Sequence, residues 1–162
     1  MARISQSVKV QTILVADDDL NDSFLLELAF AKACANTSLQ FVRDGEAALA
    51  YIRGEGEFAD REKFPFPSML LLDLGLPKMD GLEVLEALRS EPLTKIPERI
   101  VFTSSSNTND IHLALCLGAV SCVFKPSHQR ALEVIAKRLC KRGPGATHSV
   151  LETQPQLLLS KG

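Results

Sequence analysis

Four apolar runs in this chain each end in residues able to do chemistry. Met69-Leu70-Leu71-Leu72 is followed by Asp73, and Ile13-Leu14-Val15-Ala16 by three carboxylates, Asp17, Asp18 and Asp19. Ile100-Val101-Phe102 runs into Thr103 and Ser104, and the segment Val120 to Phe124 into Lys125-Pro126. Three like charges in succession repel one another unless a cation gathers them. Brought to one place, these groups would supply acidic metal ligands, a carboxylate nucleophile, a hydroxyl and an ammonium.

The elements that must position these residues follow from periodicity. A continuous apolar run bounded by turn signals reads as a strand buried on both faces, the kind found in parallel sheets covered by helices. Such sheets place their chemistry at the carboxyl ends of the strands, so the four runs converge on one edge. Pro77 and Asp80-Gly81 turn the chain after Asp73 into a helix over Leu82 to Arg89, with Val84, Leu85 and Leu88 toward the core. The first strand spans Val10 to Ala16, and the helix after it repeats Phe24, Leu25, Leu28 and Ala29 at helical spacing. A short strand, Ser38 to Val42, precedes a helix capped by Asp44 that carries Ala47, Ala48, Tyr51 and Ile52. The charged stretch Glu55 to Pro67 reads as an exposed loop. Helices over Asn109 to Leu117 and His128 to Cys140 complete five strand-helix pairs. The alternation predicts an α/β fold: a flavodoxin-like, doubly wound five-stranded parallel sheet of strand order 2-1-3-4-5 with five helices. The domain is expected over residues 10–142, with 1–9 as an N-terminal extension and 143–162 as a C-terminal tail.

Composition agrees with one ordinary domain. The chain has 162 residues, 46% hydrophobic and 23% charged, enough to bury a substantial core. A net charge of -2 offers no basic footprint for nucleic acid. The apolar runs fall short of the roughly 20 residues that span a bilayer. Met1 to Lys9 lack an apolar core of signal-peptide length. A cytoplasmic protein is expected, with neither nucleic acid nor membrane as partner. Cys34, Cys116, Cys122 and Cys140 show no CxxC spacing and are expected to pack as reduced thiols.

The acidic pair Asp17-Asp18, the run Leu72-Asp73-Leu74-Gly75-Leu76-Pro77-Lys78-Met79-Asp80-Gly81, Thr103 and Lys125-Pro126 resemble, in order and spacing, the response-regulator receiver domain of the CheY-like superfamily. That domain is the phospho-accepting half of two-component signalling. The segment Gly54 to Pro67 and the run Thr103-Ser104-Ser105-Ser106 more narrowly resemble the stand-alone receivers paired with phytochrome-type histidine kinases. The resemblance implies that Asp73 is the nucleophile and forms a mixed anhydride. It implies Mg²⁺ bound directly by Asp18, Asp73 and the backbone carbonyl of Gly75, with Asp17 acting through water. Lys125 would meet one phosphoryl oxygen, and the Thr103 hydroxyl with the N–H groups of Leu74 and Ser104 would hold the others. The donor would be a sensor histidine kinase or a phosphotransfer protein. Self-phosphorylation and slow autodephosphorylation would be the only catalysis. Two departures stand out. Gly75 replaces an often larger residue, which a carbonyl ligand tolerates. Cys122 stands where an aromatic side chain often reports the state of the threonine, and Phe124 is out of phase to replace it.

Plainer readings exist for each residue taken alone. Asp17 to Asp19 could cap the first helix, a role that suits Asp19, and Asp18-Asp19 could replace Asp17-Asp18 as the pair. Thr103 to Asn107 could be a polar loop, and Lys125-Pro126 a strand terminus. A haloacid-dehalogenase-like phosphatase would use Asp17-x-Asp19, but it needs a second acidic cluster after its lysine, where only Glu133 and Glu152 remain. A receiver fold acting without phosphorylation is a third reading, disfavoured by the complete set of charged residues. The resemblance further implies self-association, because related stand-alone receivers commonly pair through helix four, strand five and helix five, here as a two-fold homodimer. With Ala114 and Leu117 turned inward, Ile111 and Leu115 would lie outside near Cys122, and Leu157-Leu158-Leu159 would contribute from the tail.

Overall fold

The computed structural model describes residues 10–142. The proposed extension and tail, with Leu157-Leu158-Leu159, lie outside them. Twelve elements alternate, and the principal ones are β1 (Gln11–Ala16), α1 (Leu20–Ala33), β2 (Thr37–Val42), α2 (Gly45–Arg53), β3 (Met69–Leu72), α3 (Gly81–Arg89), β4 (Glu98–Thr103), α4 (Thr108–Cys116), β5 (Ser121–Phe124) and α5 (Gln129–Lys141). The strands form one sheet in the order β2-β1-β3-β4-β5. Every neighbouring pair is parallel. The expected flavodoxin-like topology is therefore the observed one.

Alternation of side chains explains why the strand runs had to be apolar throughout. Leu14, Ala16, Leu70, Leu72 and Val101 point to the face covered by α2, α3 and α4. Ile13, Val15, Met69, Leu71, Ile100, Phe102 and Val123 point to the face covered by α1 and α5. A polar residue at any of these positions would be buried against a helix on one side or the other. Local caps fix where the helices begin. Asp19 starts α1, Asp44 starts α2, and Asp80 forms a capping box with Glu83 at the start of α3.

Three expectations need correction. On α1 the buried residues are Ser23, Leu26, Ala29 and Phe30, whereas Phe24, Leu25 and Leu28 are exposed. This helix is apolar on two faces, so spacing alone did not select the one that packs. The stretch after α2 is a packed insertion as well as a loop: Tyr51, Phe58 and Phe64 stack in a cluster with ring centroids 5.2 to 5.9 Å apart. Arg61 donates to the carbonyls of Tyr51, Ile52 and Phe64, supplying the partners that the end of α2 lacks. Finally, Cys34 and Cys140 are disulfide-bonded, with Cα atoms 6.3 Å apart. Contact between α1 and α5 brings them together from 106 positions apart, a separation that leaves no local spacing signal. Cys116 and Cys122 are free.

Candidate functional site

The carboxyl ends of β1, β3, β4 and β5 bring together Asp17, Asp73, Thr103 and Lys125. Asp73 follows the last residue of β3, and its N–H donates to the Ala16 carbonyl at 3.0 Å, which locks it beside the end of β1. Its Oδ1 accepts from the Gly75 N–H at 3.2 Å. The turn beyond it is compressed. A Cβ on Gly81 would stand 2.5 Å from the Asp73 carbonyl oxygen, and one on Gly45 would collide with the Met79 carbonyl. No side chain fits either position, which accounts for the Asp80-Gly81 ending of the motif. At Gly75, by contrast, a Cβ would meet nothing within 4 Å, so a larger residue would fit there as well.

Lys125 is the centre of charge. Its Nζ lies 2.8 Å from Asp73 Oδ2, 2.8 Å from Asp17 Oδ2 and 2.9 Å from Asp22 Oδ2. Burial disfavours the ammonium, but the three carboxylates outweigh it and hold Lys125 well above the ordinary lysine range. Asp17 is almost fully buried. Burial pushes its carboxyl up, against the lowering effect of Lys125 and of the Asp19 N–H. Asp17 Oδ2 is paired with Lys125 Nζ at 2.8 Å, and its Oδ1 accepts from the Asp19 N–H at 3.0 Å. Asp17, Asp18 and Asp73 each offer one carboxylate oxygen, and the three oxygens lie within 4.8 Å of one another. A hard divalent cation suits such an oxygen set. Among the described residues no other group of three potential ligands gathers.

The remaining predicted residues fall around this centre. Thr103 is buried at the end of β4, its Oγ1 accepting from the Ser105 N–H at 3.1 Å and its carbonyl from the Lys125 N–H at 2.9 Å. Ser104 is exposed beside it, and Leu74 is buried under the turn. Asp19 is separate from the cluster: its Oδ1 accepts from the Asn21 and Asp22 N–H groups at 2.8 and 3.1 Å, the capping role expected of it. Sequence reasoning missed Asp22 and Arg43. Arg43 braces the β1 end by donating to the Asp17 carbonyl at 3.1 Å and the Ser23 hydroxyl at 2.7 Å. Asp22 lies on α1, and Arg43, although it directly follows β2, is not among the residue types that mark the other strand ends; only folding shows that both point at the site.

The family profile for the response regulator receiver domain matches residues 13–137. This chain belongs to that family. Among curated relatives of the receiver, the response regulator Rcp1 of Synechocystis is 38% identical over 102 residues, 62% of this chain and 67% of the relative. The probable methanogenesis regulatory protein FilR2 of Methanothrix harundinacea is 37% identical over 118 residues, 70% of this chain and 71% of that protein. Solved structures agree. The phosphorylated cyanobacterial phytochrome response regulator RcpA superposes with a TM-score of 0.72 at 34% identity, over 80% of this chain and 90% of its own. RPA3017, a response regulator in red light signaling of R. palustris, gives 0.76 at 32%, over 85% and 96%. The Mn²⁺-bound form of Rcp1 gives 0.71 at 29%, over 85% and 97%. The narrower likeness to phytochrome-associated receivers is thus present in both sequence and structure. No helix among the described residues is long and apolar enough to cross a membrane.

Proposed function

We propose that residues 10–142 form a phosphorylation-controlled receiver that accepts a phosphoryl group on Asp73 and signals by changing its own surface. The observation that carries this reading is the Asp73 carboxylate, held at a strand end 2.8 Å from the Lys125 ammonium, an ammonium it shares with the buried carboxylate of Asp17. A carboxylate that only stabilised the fold would not need a second buried carboxylate against it. Asp18, Asp73 and the Gly75 carbonyl would hold Mg²⁺, with Asp17 acting through water. Such a cation supplies neutralisation of the charge that moves with a phosphoryl group. Asp73 is the nucleophile, Lys125 and the Thr103 hydroxyl hold phosphoryl oxygens, and the amides of Leu74 and Ser104 complete the cradle. Slow autodephosphorylation is the only hydrolysis this reading requires. The phosphatase alternative lacks support: after Lys125, Glu133 is paired with Lys32 at 2.9 Å, and no second acidic cluster gathers among the described residues.

The donor we assign is a sensor histidine kinase of phytochrome type or a phosphotransfer protein, in the cytoplasm, on the strength of the relatives above. Leu20, Phe24 and Leu28 form an exposed apolar stripe on α1, on the helix whose first turn reaches Lys125. This is the surface we assign to the donor. A second exposed set lies on α4, β5 and α5. Ala114 and Leu117 are buried, while Leu113, Leu115, Phe124 and Val134 are exposed and Ile111 and Cys122 half-buried. We assign this surface to a two-fold homodimer. Sedimentation of Ile111→Asp/Leu115→Asp against wild type tests it, and a wild-type monomer in both phosphorylation states would rule it out. The reading as a whole is tested with acetyl phosphate. One phosphoryl group should be taken up with Mg²⁺, none with chelator and none by Asp73→Asn; uptake by Asp73→Asn at wild-type stoichiometry would reject it.

A further inference from the structure

Asp22 lies outside every residue assigned a role above, yet it completes the surroundings of Lys125. It sits in the first turn of α1, where Asp19 Oδ1 accepts its N–H at 3.1 Å, and its own Oδ2 accepts from Lys125 Nζ at 2.9 Å. An ammonium has three N–H donors, and here it faces three carboxylates, with Asp17 and Asp73 at 2.8 Å. In the receiver reading the other two have further tasks, one facing the cation and the other carrying the phosphoryl group. Asp22 has none. Its side chain is 37% exposed, against 2% for Asp17 and 12% for Asp73, so it reaches the ammonium from the solvent rim. A phosphoryl oxygen that recruits Lys125 must draw it from a carboxylate whose own charge repels the arriving anion.

We propose that Asp22 is a positioning residue that holds Lys125 from the solvent side and sets the balance between the cation-loaded, unphosphorylated receiver and the phosphorylated one. This rests on the receiver reading. Its two consequences have opposite signs. Before phosphorylation, Asp22 shares the ammonium with Asp17 and Asp73 and adds negative potential beside the carboxylates that would take the cation, so it favours Mg²⁺. With an anion on Asp73, the same carboxylate competes for the ammonium and repels the anion, so it disfavours the phosphorylated state. A residue that only stabilised the first turn of α1 would move both equilibria together or neither.

The test uses Asp22→Asn and Asp22→Glu, with Mg²⁺ affinity measured by titration and beryllofluoride affinity, as a phosphoryl mimic, measured at saturating Mg²⁺. Asp22→Asn should weaken Mg²⁺ about three- to tenfold and tighten beryllofluoride by about the same factor, the size expected for one partly solvated charge a few ångströms away. Asp22→Glu keeps the charge and should restore both values to near wild type, which separates the effect from a loss of folding. Both affinities unchanged, both shifted in one direction, or only one shifted overturns the proposal. A wild-type protein that binds neither ligand overturns the receiver reading itself, and this inference with it.

Discussion

Lys125 Nζ stands 2.8 Å from Asp73 Oδ2 across 52 positions of sequence. The pair joins the ends of β3 and β5 across β4: the carboxylate that would react and, among the described residues, the ammonium that neutralises it. Lys125→Met should leave Asp17 and Asp73 facing each other without a counter-charge. Removing one partner of a buried pair costs about 3–5 kcal/mol, and the open rim reduces this to roughly 1–3 kcal/mol. Urea denaturation at neutral pH measures it. Added Mg²⁺ should recover part of the loss in the variant, because a second cation replaces the first; a variant as stable as wild type in chelator contradicts the account.

Asp18 and Asp19 are neighbours with different work. Asp18→Ala should lower Mg²⁺ affinity by at least about tenfold, the loss of one charged ligand. Asp19→Ala should cost about 1 kcal/mol of stability by removing the α1 cap, with Mg²⁺ affinity close to wild type. Titration of the two variants compares them. A larger loss of affinity at Asp19 would move the ligand pair one position along the chain.

Asp44 joins two functional segments, accepting from Lys78 in the turn after Asp73, with Nζ and Oδ2 2.8 Å apart, and capping α2 through the Ala47 N–H at 2.7 Å. The Lys78 hydrogen bond holds the Asp44 carboxyl below its ordinary value of 3.8, outweighing partial burial. A folded-state value below the unfolded one means stabilisation that is present above the ordinary value and is lost as pH falls through the folded one. Asp44→Asn keeps a capping side chain and loses the ion pair. Its deficit in thermal stability against wild type should therefore be present near neutrality and shrink as pH is taken from about 5 to about 3. A deficit that grows on acidification would contradict the assignment.

The Cys34–Cys140 bond ties the end of α1 to the end of α5. In protein purified without reductant, alkylation should label two cysteines, Cys116 and Cys122, and after reduction all four. Cys140→Ser should lower the stability of the oxidised protein by about 2–4 kcal/mol and change nothing under reducing conditions. Four labelled cysteines without reductant would contradict the bond.

What the sequence disclosed about this fold was what periodicity and strand ends encode. Four apolar runs and the residues after them, with the short strand before Asp44, specified the sheet, its order and the meeting of Asp17, Asp73, Thr103 and Lys125. Residues recruited from outside those ends stayed hidden. Asp22 and Arg43 reach the site only because α1 and β2 lie beside β1, and nothing in their neighbours marks them. The same holds for Cys34 and Cys140, which the packing of α1 on α5 brings together. The buried face of α1 was ambiguous because Leu20, Phe24 and Leu28 make an apolar stripe as continuous as that of Leu26, Ala29 and Phe30. The burial of one stripe was decided by shape against the sheet and α5. The other remains on the surface.

The central claim is that Asp73, and no other carboxylate in the cluster, carries the phosphoryl group. Borohydride trapping of the protein after acetyl phosphate and Mg²⁺, followed by peptide mapping, locates the acyl phosphate directly, because reduction converts the phosphorylated aspartate to homoserine. The account predicts homoserine at position 73 alone, absent from chelator-treated samples. Homoserine at position 17, 18 or 22, or none at position 73 in protein that has taken up phosphate, would contradict it.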